Sequence, residues 1–254
     1  MNILLSNDDG IDSAGVRTLA KFLAPWANVW ACVPKVQQSG TGHGITVRDS
    51  LRVREEEMAG AKKAWSVEGK PADCVKMALL TLVPETVDLV ISGINEGANL
   101  GTDTLYSATV AAAMEGAFNG IPAMAVSLAV GEKPWDFEPA AQIAATLYRR
   151  WEAGVLPIPP MSILNVNVPN LPLDQIKGYK AARLGIQHYS DSYDLLEEAE
   201  DYRKFCLLGE RIPCREMDLT LDTAAIRHGY VALTPISVDR TDYALLKEIE
   251  KYFE

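Results

Sequence analysis

Short apolar runs alternate with amphipathic runs through the first two thirds of this chain, and that rhythm limits its fold more than any other feature. Apolar runs of this length are typical of strands buried on both faces, whereas spacing near 3.6 residues is typical of helices packed on one side. We predict strands at Asn2 to Ser6, Asn28 to Val33, Val87 to Ser92, Ala123 to Leu128 and Ile163 to Val168. We predict helices at Ser13 to Pro25, Pro71 to Val83, Ser107 to Asn119 and Glu138 to Trp151.

The alternation predicts an α/β fold, with a mostly parallel sheet covered by helices on both faces, up to about residue 170. Residues 179–218 differ, since an acidic stretch and the apolar run 205–208 indicate extended hairpin arms outside the core. Segments of that kind commonly form a lid or contact a partner chain. Residues 221–254 return to a helix, a strand and a helix. We treat 1–254 as one α/β domain with these three regions.

Net charge and cysteine usage exclude several classes of protein. The formal charge is −10, which argues against long nucleic acid as a partner, because binding the phosphate backbone needs a basic surface. Cys32, Cys74, Cys206 and Cys214 form no CxxC pair, so neither a zinc knuckle nor a disulfide framework is indicated. No apolar run reaches membrane-spanning length. We therefore expect a soluble, unprocessed cytoplasmic protein.

Two adjacent carboxylates, Asp8 and Asp9, follow the first predicted strand directly. Ligands of open α/β sheets collect outside the carboxyl ends of the strands. Neighbouring carboxylates repel each other, and a hard cation is the most natural group to hold them together. A turn that caps the following helix would explain a single Asp, but it explains the pair less well.

Two further polar segments follow predicted strands. The segment 39–44, Ser-Gly-Thr-Gly-His-Gly, offers a hydroxyl and a backbone that can approach a ligand closely; its His43 is equally compatible with substrate contact and with solvent exposure. In the segment 92–101, Asn95 and Asn99 supply uncharged donors and acceptors. Ser107 and Thr109 then stand at the start of a helix, where free N–H groups bind anions; an ordinary N-cap is the alternative for Ser107.

Asp8, Asp9, Ser39 and Asn95 together form a candidate ligand set made only of oxygen atoms. Such a set suits Mg²⁺, Mn²⁺ or Ca²⁺ and does not suit a structural zinc. An acidic chain that handles phosphate needs a local positive centre of this kind.

Several motifs, in the same order along nearly the whole chain, resemble the SurE family of survival proteins, which are 5′/3′-nucleotidases. The segments that carry the resemblance are 4–11, 71–75, 92–101, 106–116, 164–169, 183–185, 229–231 and 234–235. Three positions depart from the usual family pattern: Ala108 and Ala111 stand in place of glycine, and Lys70 stands in place of threonine. None of the three is a candidate metal ligand.

The resemblance implies a Rossmann-like core and one divalent metal ion per subunit, Mg²⁺ or Mn²⁺, held by Asp8, Asp9, Ser39 and Asn95. It implies hydrolysis of nucleoside 5′-monophosphates, with 3′-monophosphates and short polyphosphate as further candidate substrates. It also implies a homodimer or homotetramer that exchanges C-terminal segments.

We predict that Asp8 is catalytic, orienting or deprotonating the attacking water. We predict that Asn95, Asn99, Ser107 and Thr109 bind the phosphate oxygens.

Two other classes share an early acidic motif. A phospho-accepting receiver module, the main alternative, needs a third Asp at a central strand end and a late lysine; Asn95 and the segment 234–236 provide neither. A phosphatase of the haloacid dehalogenase type needs two Asp residues separated by one position, whereas Asp8 and Asp9 are adjacent. Both alternatives are therefore disfavoured.

Overall fold

A nine-stranded sheet forms the centre of the computed structural model, which describes residues 1–129, 131, 134–212 and 217–253. The strand order is β3-β4-β2-β1-β5-β6-β7-β11-β8. The strands of this sheet are β1 (Asn2–Ser6), β2 (Asn28–Pro34), β3 (Val53–Glu56), β4 (Lys63–Val67), β5 (Leu89–Glu96), β6 (Ala123–Ala129), β7 (Ser162–Pro169), β8 (Tyr179–Ala181) and β11 (Val231–Ser237). The six strands from β4 to β7 in this order are parallel.

Helices cover both faces of the sheet, so the predicted fold class is confirmed. The helices are α1 (Ala14–Leu23), α2 (Pro71–Met77), α3 (Ala108–Phe118), α4 (Glu138–Glu152), α5 (Asp222–Arg227) and α6 (Tyr243–Glu250). One core cluster packs α1 and α4 against Ile3 and Leu5, and the other packs α2 and α3 against Leu4. Successive residues of β1 thus face opposite cores, which explains its uninterrupted apolar sequence. No helix in the described ranges is long and apolar enough to cross a membrane.

The edges of the sheet differ from the sequence-based prediction. Strands β3 and β4 were not predicted; β3 is antiparallel to β4, and β4 is parallel to β2. Three of the four residues of β3 are charged, as expected for a partly exposed edge strand with a weak apolar signal. At the other edge β11 runs antiparallel to β7.

The helix predicted at 71–83 is divided in two. Its α-helical part, α2, ends at Met77, and a π-helical turn, Ala78–Leu82, follows it directly.

The predicted arm contains a hairpin that stands apart from the main sheet. Within the described residues, strands β9 (Ser192–Glu198) and β10 (Arg203–Leu208) pair only with each other, and every residue in them is exposed. The segment 179–181, by contrast, joins the main sheet as β8. Residues 213–216 of the arm, including Cys214, lie outside the described residues. The C-terminal part forms α5, β11 and α6 as predicted, whereas the single-domain organisation stays a prediction.

An ionic cluster around Glu115 ties α2, α3 and the glycine-rich segment 39–44 together. Glu115 is 5% exposed, and its Oε2 lies 3.1 Å from Nε2 of His43. Its Oε1 accepts hydrogen bonds from Lys76 Nζ and Asn119 Nδ2, each at 3.1 Å. The hydrogen bond from His43, together with Lys76 and Asn119, lowers the pKa of Glu115 to about 2 although burial raises it. The carboxylate is therefore ionised in the folded protein at neutral pH.

We expect Glu115→Gln to destabilise the protein by about 1–3 kcal/mol at pH 7, because an amide cannot accept from all three donors. The folded pKa, about 2, lies below the ordinary value of 4.5, so this stability is present above pH 4.5 and is lost as the pH falls toward 2. Urea unfolding of both proteins between pH 7 and pH 3 measures the difference in their free energies of unfolding.

The matched control is Glu85→Gln, which removes an exposed carboxylate that pairs with Lys62 at 3.4 Å. Its effect should stay below about 0.5 kcal/mol and should not depend on pH. If Glu115→Gln lowered the free energy of unfolding equally at pH 7 and pH 3, the ionised carboxylate of Glu115 would not be the source of the stability.

Candidate functional site

A cavity of about 330 Å³ opens at the carboxyl ends of β1 and β5, where the sequence predicted a site. Five of the seven predicted site residues line it: Asp8, Ser39, Asn95, Asn99 and Ser107. The other lining residues are Gly40, Glu96, Asp103, Tyr106 and Tyr189. Asp9 and Thr109 do not line the cavity, but each is bonded to a residue that does: Asp9 accepts from Glu96, and Thr109 donates to Asp8.

Asp8 is the buried carboxylate of the cavity, with 4% of its surface exposed. The hydroxyl of Thr109, at the start of α3, donates to its Oδ1. Burial raises the pKa of Asp8 to about 6, helped by the charge of Asp9 and opposed by the hydrogen bond from Thr109. The hydrogen bond from Thr109 does not fully offset the burial of this carboxylate, and a bound cation would stabilise its charged form.

Asp9 is held on the outer side of the cavity by two different elements. Its Oδ2 accepts from the backbone N–H of Glu96 at 3.0 Å, and its Oδ1 accepts from Gln37 Nε2 at 3.3 Å. These bonds join the end of β5 and the segment after β2 to the acidic pair. The structure therefore places Asp9 next to Asp8 but gives its carboxylate protein partners of its own.

Asn95 reaches the cavity because the pairing of β5 with β6 shifts register between Ser92 and Asn95. Within this irregularity the Gly93–Ile94 peptide is cis, and a Cβ on Gly93 would lie 2.1 Å from the carbonyl oxygen of Val126. Only glycine fits such a close approach. The amide nitrogen of Asn95 donates to the carbonyl of Gly97 at 2.8 Å, which leaves its amide oxygen as the atom suited to a cation.

The donor set fits a hard divalent cation. Asp8, Asn95 and Ser39 place a carboxylate, an amide oxygen and a hydroxyl on one cavity, with Asp9 adjacent to Asp8. Within the described residues no group of three or more His, Cys, Asp or Glu could hold a metal ion. Any cation here would thus depend on neutral oxygen donors besides the acidic pair, as Mg²⁺ and Mn²⁺ sites do and structural zinc sites do not.

Asn99 is fixed by polar side chains from the neighbouring strands. Its Nδ2 donates to Ser127 Oγ at 2.7 Å, and its backbone N–H donates to Asn167 Oδ1 at 2.8 Å. Its carbonyl accepts from the amides of Asn165 and Asn167 at 2.8 and 3.0 Å. Much of its hydrogen-bonding capacity therefore serves to hold the segment after β5 in place, while the residue still faces the cavity.

Ser107 can take both of the roles considered from the sequence, that of an N-cap and that of a phosphate contact. Its Oγ accepts from the backbone N–H of Val110 at 3.0 Å, so it is the N-cap of α3. It also lines the cavity, toward which the amino end of α3 is directed.

Ala108, which departs from the family pattern, is fully buried in the first turn of α3. Lys70 lies at the glycine-rich segment, with its Nζ 3.5 Å from the carbonyl of Ile45, and does not line the cavity.

Several residues of the site were not found from the sequence. Tyr189, from the base of the arm, donates its hydroxyl to Asp103 Oδ2 at 2.6 Å, and both line the cavity. Asp222, at the start of α5, accepts from the backbone N–H groups of Gly101 and Gly185 at 2.8 and 2.9 Å. Burial raises the pKa of Asp222. No local motif marks Tyr189 or Asp222. The C-terminal chain brings Tyr189 to the cavity, whereas Asp222 does not line the cavity and supports the segment 92–101 through Gly101.

Comparisons with known proteins agree with this architecture. The profile of the family described as "Survival protein SurE" matches residues 3–191. A protein named "5′-nucleotidase SurE" from Synechococcus sp. (strain JA-3-3Ab) is 43% identical over 99% of this chain and 97% of its own length. One of the same name from Petrotoga mobilis is 40% identical over the full length of both chains.

A solved structure shows the same fold. The crystal structure of the SurE protein from Aquifex aeolicus superposes with a TM-score of 0.85 at 33% identity and covers all of both chains. The resemblance inferred from the sequence motifs is thereby confirmed. By its profile match, its full-length relatives and its fold, this chain belongs to the SurE family.

Proposed function

We propose that this chain is a metal-dependent phosphomonoesterase that hydrolyses nucleoside 5′-monophosphates to nucleoside and phosphate. The observation that carries the proposal is the cavity in which the buried carboxylate of Asp8 faces Asn95, Ser39 and the amino end of α3. The relatives named 5′-nucleotidase SurE support the same class of enzyme, a phosphoric monoester hydrolase. Nucleoside 3′-monophosphates and short polyphosphate are further candidate substrates.

One divalent ion per subunit, Mg²⁺ or Mn²⁺, would be held by Asp8, Asp9, Ser39 and Asn95 and would neutralise charge on the phosphoryl group. Asp8 and Asp9 provide the negative charge of this site, and Ser39 and Asn95 add neutral oxygens. Gln37 and the N–H of Glu96 keep the Asp9 carboxylate beside that of Asp8.

We assign the catalytic role to Asp8, which would orient or deprotonate the water that attacks phosphorus in line with the leaving oxygen. Its burial excludes bulk water on one side, and the hydroxyl of Thr109 fixes the orientation of its carboxylate. The hydroxyl of Thr109 would thus position Asp8, which leaves its backbone N–H, in the first turn of α3, for the predicted contact with phosphate.

Phosphate oxygens would bind at the amino end of α3, where Ser107 and the first backbone N–H groups offer donors and the helix dipole favours negative charge. The side-chain nitrogens of Asn99 and Asn95 each use one hydrogen for Ser127 or Gly97, and their second hydrogens would be donors to phosphate. The cavity is only partly enclosed, and Tyr106 and Tyr189 stand on its walls, so the nucleoside would lie toward them. The receiver alternative gains no support, since Asn95 occupies the strand end at which such a module carries an Asp.

We propose a cytoplasmic location, because the scattered cysteines of the sequence indicate no disulfide framework.

The purified protein should release inorganic phosphate from adenosine 5′-monophosphate with Mn²⁺ or Mg²⁺, and excess EDTA should reduce the rate at least about a hundredfold, because the acidic cavity then lacks its counter-charge. A colorimetric phosphate assay over nucleoside 5′- and 3′-monophosphates and tripolyphosphate measures this. Readdition of Mn²⁺ should restore the rate. Full activity after chelation and dialysis would overturn the metal mechanism.

We further propose that the chain forms a homodimer or homotetramer through its C-terminal segments. Tyr193 and Leu195 on β9 lie opposite Leu207 and Phe205 on β10, so the four side chains share one face of the hairpin, and each is about half exposed or more. A hairpin with an exposed apolar face and two open edges is marginal in isolation, and a partner chain would cover it.

Multi-angle light scattering at micromolar concentration should give a mass at least twice the 27.7 kDa of one chain. The double variant Leu195→Asp, Leu207→Asp should shift the mass toward one chain, since it places charges on the apolar face. The control is Leu80→Asp, at an exposed leucine outside the arm, and it should leave the mass unchanged. A monomeric wild type would contradict the proposal.

A further inference from the structure

The glycine-rich segment 39–44 contributes an exposed part of the cavity wall. Ser39 and Gly40 line the cavity, and both are exposed. Gly40 and Gly42 adopt φ values of +73° and +55°, and a Cβ on Gly40 would meet no atom within 4 Å. A backbone with this freedom loses much conformational entropy when it takes one position. Its position over the cavity must therefore be set by contacts at a few points.

Between Gln38 and His43, three contacts join this segment to other parts of the chain; just after it, the N–H and the hydroxyl of Thr46 donate to Asp73. At its start the backbone N–H of Gln38 donates to the carbonyl of Asp8 at 2.7 Å. Near its end the N–H of Gly42 donates to the carbonyl of Tyr106 at 3.1 Å. The third contact is the pair of His43 with Glu115 at 3.1 Å, the one of the three made by side chains.

Glu115 can act as a fixed anchor because its other oxygen is held independently. Lys76 of α2 and Asn119, at the end of α3, both donate to Oε1, whereas His43 contacts Oε2. The anchor belongs to α3, the helix whose amino end carries Ser107 and Thr109. The segment that carries Ser39 and the helix end that faces the cavity are thus connected through one carboxylate.

We propose that Glu115, acting through His43, is a positioning residue that holds the segment 39–44 against α3 and keeps Ser39 beside Asp8 and Asn95. The inference rests on the proposed metal site for the role of Ser39, but the contact with His43 stands without it. Neither Glu115 nor His43 lines the cavity, so both act through the segment and not on the substrate.

Three variants separate this role from a general effect on folding. His43→Ala removes the contact, and His43→Gln keeps a side-chain N–H that can donate to Glu115. Lys76→Gln removes a partner of the same carboxylate without touching the segment 39–44. His43→Ala and Lys76→Gln each remove one partner of the buried Glu115 carboxylate, so both should lower the metal-free melting temperature to a similar extent. An effect seen in His43→Ala alone is therefore not a general effect on folding.

The first measurement is hydrogen exchange of the metal-free protein, read at the backbone amides of Gln38 and Gly42, which are hydrogen-bonded to the carbonyls of Asp8 and Tyr106. His43→Ala should accelerate exchange about tenfold there, since the lost bond involves a charged group. His43→Gln should recover most of the protection, and Lys76→Gln should leave exchange within about twofold of the wild type. Unchanged exchange in His43→Ala would overturn the positioning role, whether or not the protein binds metal.

The second measurement is calorimetric titration with Mn²⁺. His43→Ala should weaken binding about tenfold, with partial recovery in His43→Gln and less than about a twofold change in Lys76→Gln. Faster exchange with unaltered Mn²⁺ affinity would overturn the link to Ser39. A wild type that binds no Mn²⁺ would refute the proposed metal site, while the exchange experiment would still decide whether Glu115 positions the segment.

Discussion

The buried negative charge of Asp8 beside Asp9 is the constraint on which the site depends. A carboxylate that is 4% exposed and next to a second one is unfavourable unless something compensates it, and burial accordingly raises the pKa of Asp8. Donors surround the pair: the hydroxyl of Thr109 serves Asp8, and the N–H of Glu96 serves Asp9. These neutral donors limit the repulsion, and a divalent cation would remove it.

Helix α3 organises much of the remaining site. Its amino end presents Ser107 to the cavity and Thr109 to Asp8, and its seventh and eighth residues carry Met114 into the core and Glu115 to the ionic cluster. The helix is buried along almost its whole length against β5 and β6. A rigid element of this kind can hold an anion-binding end in register with a carboxylate on another strand.

The strands and site residues that could be predicted are those marked by a pattern of neighbouring residues in the sequence. Strand β1 and the pair at its end were predicted because an apolar run buried on both faces is followed directly by two acids. Strand β3 was missed because an edge strand such as Val53–Glu56 carries mostly charged residues. Strand β4 lies inside the sheet, but its five residues include Lys63 and Ser66 and so form no continuous apolar run. Asn165 and Asn167 belong to a motif that carried the family resemblance, yet their bonds to Asn99 follow only from the register of β6 and β7. Tyr189 and Asp222 reach the site from the C-terminal chain, which no local pattern reveals.

The most direct test of the shared cation compares melting curves of the wild type and Asp9→Asn, with and without Mn²⁺, using Asp12→Asn as the control at an exposed acid that pairs with Arg17. Asp9→Asn relieves the repulsion and keeps an oxygen for the N–H of Glu96, so the metal-free variant should melt no lower than the metal-free wild type. Mn²⁺ should then stabilise the wild type and Asp12→Asn more than Asp9→Asn, because a ligand that binds only the folded state raises stability. A lowered metal-free melting temperature for Asp9→Asn, with stabilisation by Mn²⁺ equal to that of the wild type, would show that Asp9 is a turn residue and would contradict the account.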